Sequence, residues 1–171
     1  MKEQTIYSYK LLARFRWRWP GLLLQLGVLL AGLSIFALPA FGVWQVLSSL
    51  SVLVVLPVVH YLLFRFSVYA AQEQAKTSPD GLFSVWWGAG TRYPVSLSFY
   101  RQAELTVTLG SLLLSTLLFA WFPVSYGITL LVGAVAFSIP RLSALLFTYR
   151  QPGHCRVRYE PGSIAFLQTD G

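Results

Sequence analysis

The sequence predicts an all-α integral membrane protein: a four-transmembrane-helix bundle of two helical hairpins, N-in and C-in, with a small C-terminal cytoplasmic β-hairpin. Three observations predict it. Four stretches, about 21–38, 44–64, 104–121 and 126–147, are apolar over a spanning length; eighteen helical residues reach about 27 Å, close to the hydrocarbon thickness of a bilayer. All thirteen Lys and Arg residues fall on one side of that arrangement. The tail sets two strand-like runs, Arg156-Val157-Arg158-Tyr159-Glu160 and Ile164-Ala165-Phe166-Leu167-Gln168, on the two sides of a Pro-Gly pair.

Composition narrows the class. Of 171 residues, 56% are hydrophobic and 11% charged, where a soluble domain carries about 25% charged residues. The mean hydropathy is +0.60. A soluble core of this size has no room for so much apolar surface, so the lipid bilayer is the first expected partner. The net charge of +7 fits the cytoplasmic flanks of membrane spans and contact with anionic lipid. No nucleic-acid motif accompanies it, so nucleic acid is not an expected partner. The single cysteine, Cys155, excludes an intrachain disulfide and a Cys-based metal cage.

Residues 1–20 read as a cytoplasmic basic-aromatic interfacial segment with five cations: Lys2, Lys10, Arg14, Arg16 and Arg18. Arg14, Arg16, Trp17, Arg18 and Trp19 form the expected membrane-interface anchor. The alternation of basic and aromatic residues would suit a strand with its arginines on one face; a helix or an irregular interfacial segment is the reading favoured here. The first span follows, too long for a signal-peptide core and without a clean cleavage site, hence a retained helix. Pro39-Ala40-Phe41-Gly42 makes an uncharged turn. The second span carries Pro57, expected to kink it or free a carbonyl, and His60.

Residues 65–103 form the one substantial loop, with Arg65, Lys76, Arg92 and Arg101 in or beside it and a Ser78-Pro79-Asp80-Gly81 turn signal. Within it, Leu82-Phe83-Ser84-Val85-Trp86-Trp87 is apolar but too short to span, so it is expected at the interface, broken by Gly88-Ala89-Gly90. The third and fourth spans are joined by Phe122-Pro123-Val124-Ser125. The tail, 148–171, should pair 156–160 with 164–168 around Pro161-Gly162. Two strands alone are marginal in water, so the hairpin should lean on another surface. The two halves, each a span, a proline-bearing turn and a second span, fit either a parallel duplication or convergence of helical hairpins.

Candidate chemistry concentrates near the cytoplasmic border: His60, Arg65, Glu104 and Arg141, with Gln25 at a similar depth in the first span. Glu104 is the one acidic residue beside a span and is expected to pair with Arg65, Arg141 or Arg101, because an unpaired charge there is costly. On the third span, Arg101, Glu104, Thr108, Ser111 and Ser115 recur every three or four residues as one polar stripe, opposite Leu105, Leu109, Leu112, Leu113 and Leu117. The stripe suits helix packing or the lining of a path. Gly27 with Ala31, and Ala134 with Ser138, are small pairs four apart that suit close helix contact.

No catalytic motif is present, so the chain is not expected to be an enzyme, and no cofactor or metal is expected. The expected role is a non-catalytic accessory, assembly or regulatory component of the cell (inner or plasma) membrane. It would act at the cytoplasmic face through another membrane or cytoplasmic protein, or a second copy of the chain. The alternative is a small oligomeric transporter or channel using the third-span stripe.

Overall fold

The computed structural model describes residues 9–71, 77–78, 82, 84–88, 90–160 and 162–169. The chain order is β1 (Tyr9–Arg16), α1 (Trp19–Phe36), α2 (Leu38–Ser49), a 3-10 stretch (Leu50–Val54), α3 (Val55–Ala70), β2 (Val95–Ser96), α4 (Leu97–Phe119), α5 (Val124–Thr148), β3 (Arg156–Glu160) and β4 (Ser163–Thr169). Among the described residues four helices are long and apolar enough to cross a membrane: α1, the rod formed by α2, the 3-10 stretch and α3, α4, and α5.

The boundaries differ from expectation where the helices pass beyond the apolar stretches. The second rod runs 33 residues, Leu38–Ala70, past Arg65. Helix α4 begins at Leu97, seven residues before the predicted 104, because Ser96 caps it: its Oγ accepts from the Phe99 N–H at 3.3 Å. The central connection is therefore 71–96 rather than 65–103. The first turn is also distributed. Helix α1 stops at Phe36, and Leu38–Phe41 make one helical turn before Gly42 breaks it at φ +73°, a left-handed value that favours glycine. Pro57 sits at the third position of α3, directly after the 3-10 stretch. There its missing N–H removes an α-type bond.

Helix α5 is the hub, packing on α4, α1 and α2, while α3 packs on α4. Small residues set the close approaches. A Cβ on Gly133 would overlap Leu53, one on Gly127 would meet Phe119, and one on Gly32 would meet Val132. Ala134 and Ser138 are buried as expected. Gly27 and Ala31 are not: both are exposed, and a Cβ on Gly27 would meet nothing. The α1 contact instead uses Gln25, Gly32 and Leu33, a different face of the same helix.

The larger correction concerns 9–16. This segment is a strand, not a helix or an irregular anchor, and the tail hairpin is the centre of a four-stranded antiparallel sheet of order β1-β4-β3-β2. The period-two pattern is the reason. Ala13, Phe15 and Trp17 pack inward while Arg14, Arg16 and Arg18 stay exposed. Strand β4 has two open sides; β3 pairs one and β1 the other, with an irregularity at Leu12. Ile164 and Phe166 on β4, Val157 on β3 and Phe15 on β1 close over Phe64, Tyr100, Ala103, Ala144 and Phe147 at the helix ends. Phe147 stacks obliquely on both Phe15 and Phe166, each at 5.5 Å. The N-terminal strand, the residues leading into α4 and the tail thus meet at one end of the bundle. The proposed turn around Pro79, Asp80 and Gly81, the charges at Lys2, Glu73 and Lys76, and Pro161 lie outside the described residues.

Candidate functional site: a sealed ion pair around an inserted loop

At the sheet end of the bundle, α4 and α5 place Glu104 and Arg141 face to face. Arg141 Nη1 donates to Glu104 Oε2 at 2.9 Å, and both side chains are essentially without solvent contact. The second carboxylate oxygen accepts from the Tyr159 hydroxyl at 2.6 Å, which ties β3 to α4. Of the three partners expected for Glu104, Arg141 is the one found. Arg101 turns instead to α5. Its Nη2 donates to the Thr148 carbonyl at 2.7 Å, its Nε to Thr148 Oγ1 at 3.0 Å, and its guanidinium lies 4.9 Å from the Tyr149 ring. A cation there satisfies a last-turn carbonyl and complements the helix dipole.

The residues expected at an interface, Trp86 and Trp87, lie inside the bundle. Trp86 is buried, with Nε1 donating to the Glu160 carbonyl at 2.9 Å. Trp87 lies flat on Phe137, with centroids 4.3 Å apart and planes within 8°. The backbone follows the side chains inward. Trp87 has φ +46° and Gly88 φ +105°, and Gly88 lies against the backbone of Pro57 and Tyr61 on α3. Irregular backbone buried in protein must still find hydrogen-bond partners. Arg141 and His60 supply them. Arg141 Nη2 donates to the Trp86 carbonyl and reaches the Trp87 carbonyl at 3.5 Å. His60 Nδ1 lies 3.0 Å from that same Trp87 carbonyl. A carbonyl only accepts, so Nδ1 carries the hydrogen.

The arrangement is a lock. A buried cation is neutralised by a buried carboxylate, and its Nη2 holds an inserted loop, while its Nε has no hydrogen-bond partner among the described residues. Partners on α4, α5, β3 and the loop converge on Arg141 and Glu104, and α3 joins through His60 at the Trp87 carbonyl. The Tyr159 phenol titrates well above its ordinary 10.0, through burial first and the Glu104 charge second. A folded-state pKa raised above the unfolded value contributes stability that is complete below pH 10 and is lost as pH rises beyond it. The midpoint of chemical unfolding should therefore fall above pH 10 in wild type. Tyr159→Phe should be less stable at neutral pH by about 1.5–3 kcal/mol, the worth of a hydrogen bond to a charged group, and should fall less steeply in alkali. Parallel pH profiles for the two proteins would contradict this.

Of the residues expected to carry function, His60, Glu104 and Arg141 come together. Arg65 is exposed and takes no part in these bonds. Gln25 is buried on α1, and its Oε1 has no hydrogen-bond partner among the described residues. Thr108, Ser111 and Ser115 are buried below Glu104, and Ser111 Oγ donates to the Thr108 carbonyl of its own helix at 3.0 Å. Leu105, Leu109, Leu113 and Leu117 form the exposed opposite face, but Leu112 turns inward against the Leu130–Phe137 core. Arg14, Arg16 and Arg18 are exposed around the sheet, Trp17 packs on its inner core, and Trp19 is 77% exposed. Sequence reasoning missed Trp87, Gly88 and Tyr159. One signal pointed to Trp87 and Gly88: an apolar Trp-Trp run ending in glycine, too short to span, in a loop otherwise rich in charge; none pointed to Tyr159.

No known protein family matches this chain, and no curated protein or solved structure shows significant similarity to it.

Proposed function

We propose that the chain is a multi-pass protein of the cell membrane whose termini and central loop are cytoplasmic, and that it is a non-catalytic accessory, assembly or regulatory component acting through a partner at that face. One feature supports the orientation. Among the described residues every Lys and Arg lies in the segments that meet at the sheet end or in the helix turns beside it, and cationic flanks mark the cytoplasmic side. Maleimide labelling of cysteines at Ala40 and Ala120, both exposed at the other end, should occur from outside intact cells; labelling only after permeabilisation would reverse the topology.

One observation carries the functional reading: the two buried charges inside the bundle, Glu104 and Arg141, pair with each other, and Arg141 also holds the inserted loop, whereas the exposed arginines lie on the sheet and at the helix ends and loop beside it. Several buried hydroxyls act similarly, although Thr108 Oγ1 has no partner among the described residues. Ser49 and Thr129 share a 2.6 Å bond between α2 and α5, Ser138 bonds back to Ala134, and Ser111 to Thr108. These are packing contacts, which support an accessory role over a transporter or channel. Affinity purification in mild detergent should bring down one defined protein at constant stoichiometry. A clean monomer, or solute flux by the pure protein in proteoliposomes, would overturn the reading.

A further inference from the structure

The sheet's outer face presents arginines in cross-strand rows. Arg16, Ser163 and Glu160 make one row; Arg14, Ala165 and Arg158 the next; Leu11, Leu167 and Arg156 the third. Ala165 and Leu167, in the middle of these rows, are nearly inaccessible. Glu160 accepts from Arg14 at 3.2 Å and also from Ser163. Arg16, Arg156 and Arg158 are exposed and have no carboxylate partner among the described residues.

The rows climb along the helix axis rather than lying flat across it. Strand β2 runs directly into α4, and Ser96 pairs with Arg156 at its start, while Tyr159, three residues on, reaches Glu104 two turns inside the same helix. Strand β3 therefore runs beside the first turns of α4, and three residues of strand separate the levels by about 10 Å. For a membrane-spanning bundle this stands the arginine face on edge to the bilayer. The Arg16 row could meet headgroups; Arg158 and Arg156 stand progressively further out. That placement favours a protein over a lipid surface.

Strand β1 is also the edge of the sheet, and an open edge is a template for another strand. A second copy pairing through β1 would set arginines against arginines, and like charges across a strand pair repel. An acidic strand reverses the sign.

We infer that the edge of β1 and the arginine face beside it form a docking surface for an extended acidic segment of a partner protein. The segment would add as a strand along Ala13–Arg16, with carboxylates at alternate positions facing Arg16 and Arg14, and apolar residues between them on the side of Ala13 and Phe15. The inference rests on the accessory reading and gives its partner a chemistry.

The test uses the full-length protein in detergent and in nanodiscs, with a labelled synthetic peptide alternating glutamate and valine. The control has the same composition with the glutamates in one block. Fluorescence anisotropy should show the alternating peptide binding about tenfold tighter than the block peptide and weakening with salt. Arg16→Glu and Arg158→Glu, tested singly and checked for unchanged thermal unfolding, should each weaken it about tenfold or more. Equal binding of the two peptides, or no effect of either variant, would overturn the inference. So would loss of binding when phosphatidylglycerol replaces phosphatidylcholine in the nanodisc, which would assign the face to lipid headgroups. A partner that copurifies equally with wild type and both variants, while the peptide fails to bind, would reject this surface and leave the accessory reading standing. Peptide binding without any copurifying protein would do the opposite.

Discussion

Glu104→Leu should destabilise the protein by about 3–5 kcal/mol, the cost of leaving a buried charge unpaired, and the double variant Glu104→Leu/Arg141→Met should be more stable than that single variant. The reasoning turns on which partner can escape its charge. A carboxylate can take up a proton; a guanidinium in a protein cannot lose one. In Glu104→Leu the Arg141 charge stays in a site where it has no solvent contact. Removing both groups removes the charge. The double variant does not return to wild type, because Arg141 also serves the carbonyls of Trp86 and Trp87, and a buried acceptor left without a donor costs about 1–3 kcal/mol. The ordering expected is therefore wild type, then the double variant, then Glu104→Leu. Unfolding in mixed micelles, followed by circular dichroism, measures it. A double variant whose loss equals the sum of the two single losses would show that the pair acts as two independent groups, contrary to the shared geometry.

How much of this was legible beforehand depends on how local the cause is. The spans were legible because bilayer-length apolar runs need only their own residues. So was the pairing of β3 with β4, from two short strand-like runs around one Pro-Gly pair. Glu104 was legible as a group needing a cation, but the choice of Arg141 over Arg101 depended on the crossing of α4 with α5. The strand at Arg14 and Arg16 was misjudged for a different reason: its alternation was visible, but the open side of β4 that it pairs lies some 150 residues away in the chain. Gly27 and Gly32 show the same limit on a helix. Both are small enough for close approach, and only the position of α5 decides that Gly32 meets Val132 while Gly27 faces outward. The insertion of Trp86 and Trp87 was least accessible, since it requires donors from α3 and α5 that no reading of the loop alone supplies.

That insertion is also where a single methyl group should matter most. Gly88→Ala is expected to unseat the loop at a cost of about 3 kcal/mol or more, summing the strain of a non-glycine residue at an unfavourable φ and steric overlap in a packed site. The φ of +105° is one L side chains rarely adopt, and the added carbon would overlap the Pro57 carbonyl oxygen and crowd the Tyr61 nitrogen at 3.1 Å. These are backbone atoms of a helix and cannot swing aside as a side chain would. Moving the loop outward would pull Trp87 off Phe137 and its carbonyl away from His60, so the effect should spread through the lock. Gly27→Ala is the matched control. Nothing lies near its added carbon, and alanine in a helix interior is favoured over glycine by about 1 kcal/mol, so that variant should gain stability. Chymotrypsin reports the difference locally. The bonds after Trp86 and Trp87 should be protected in wild type and Gly27→Ala and cut in Gly88→Ala, with mass spectrometry placing the cleavage. If Gly88→Ala were protected and as stable as wild type, the loop could not lie against α3, and the role assigned to His60 and Arg141 in holding its carbonyls would go with it.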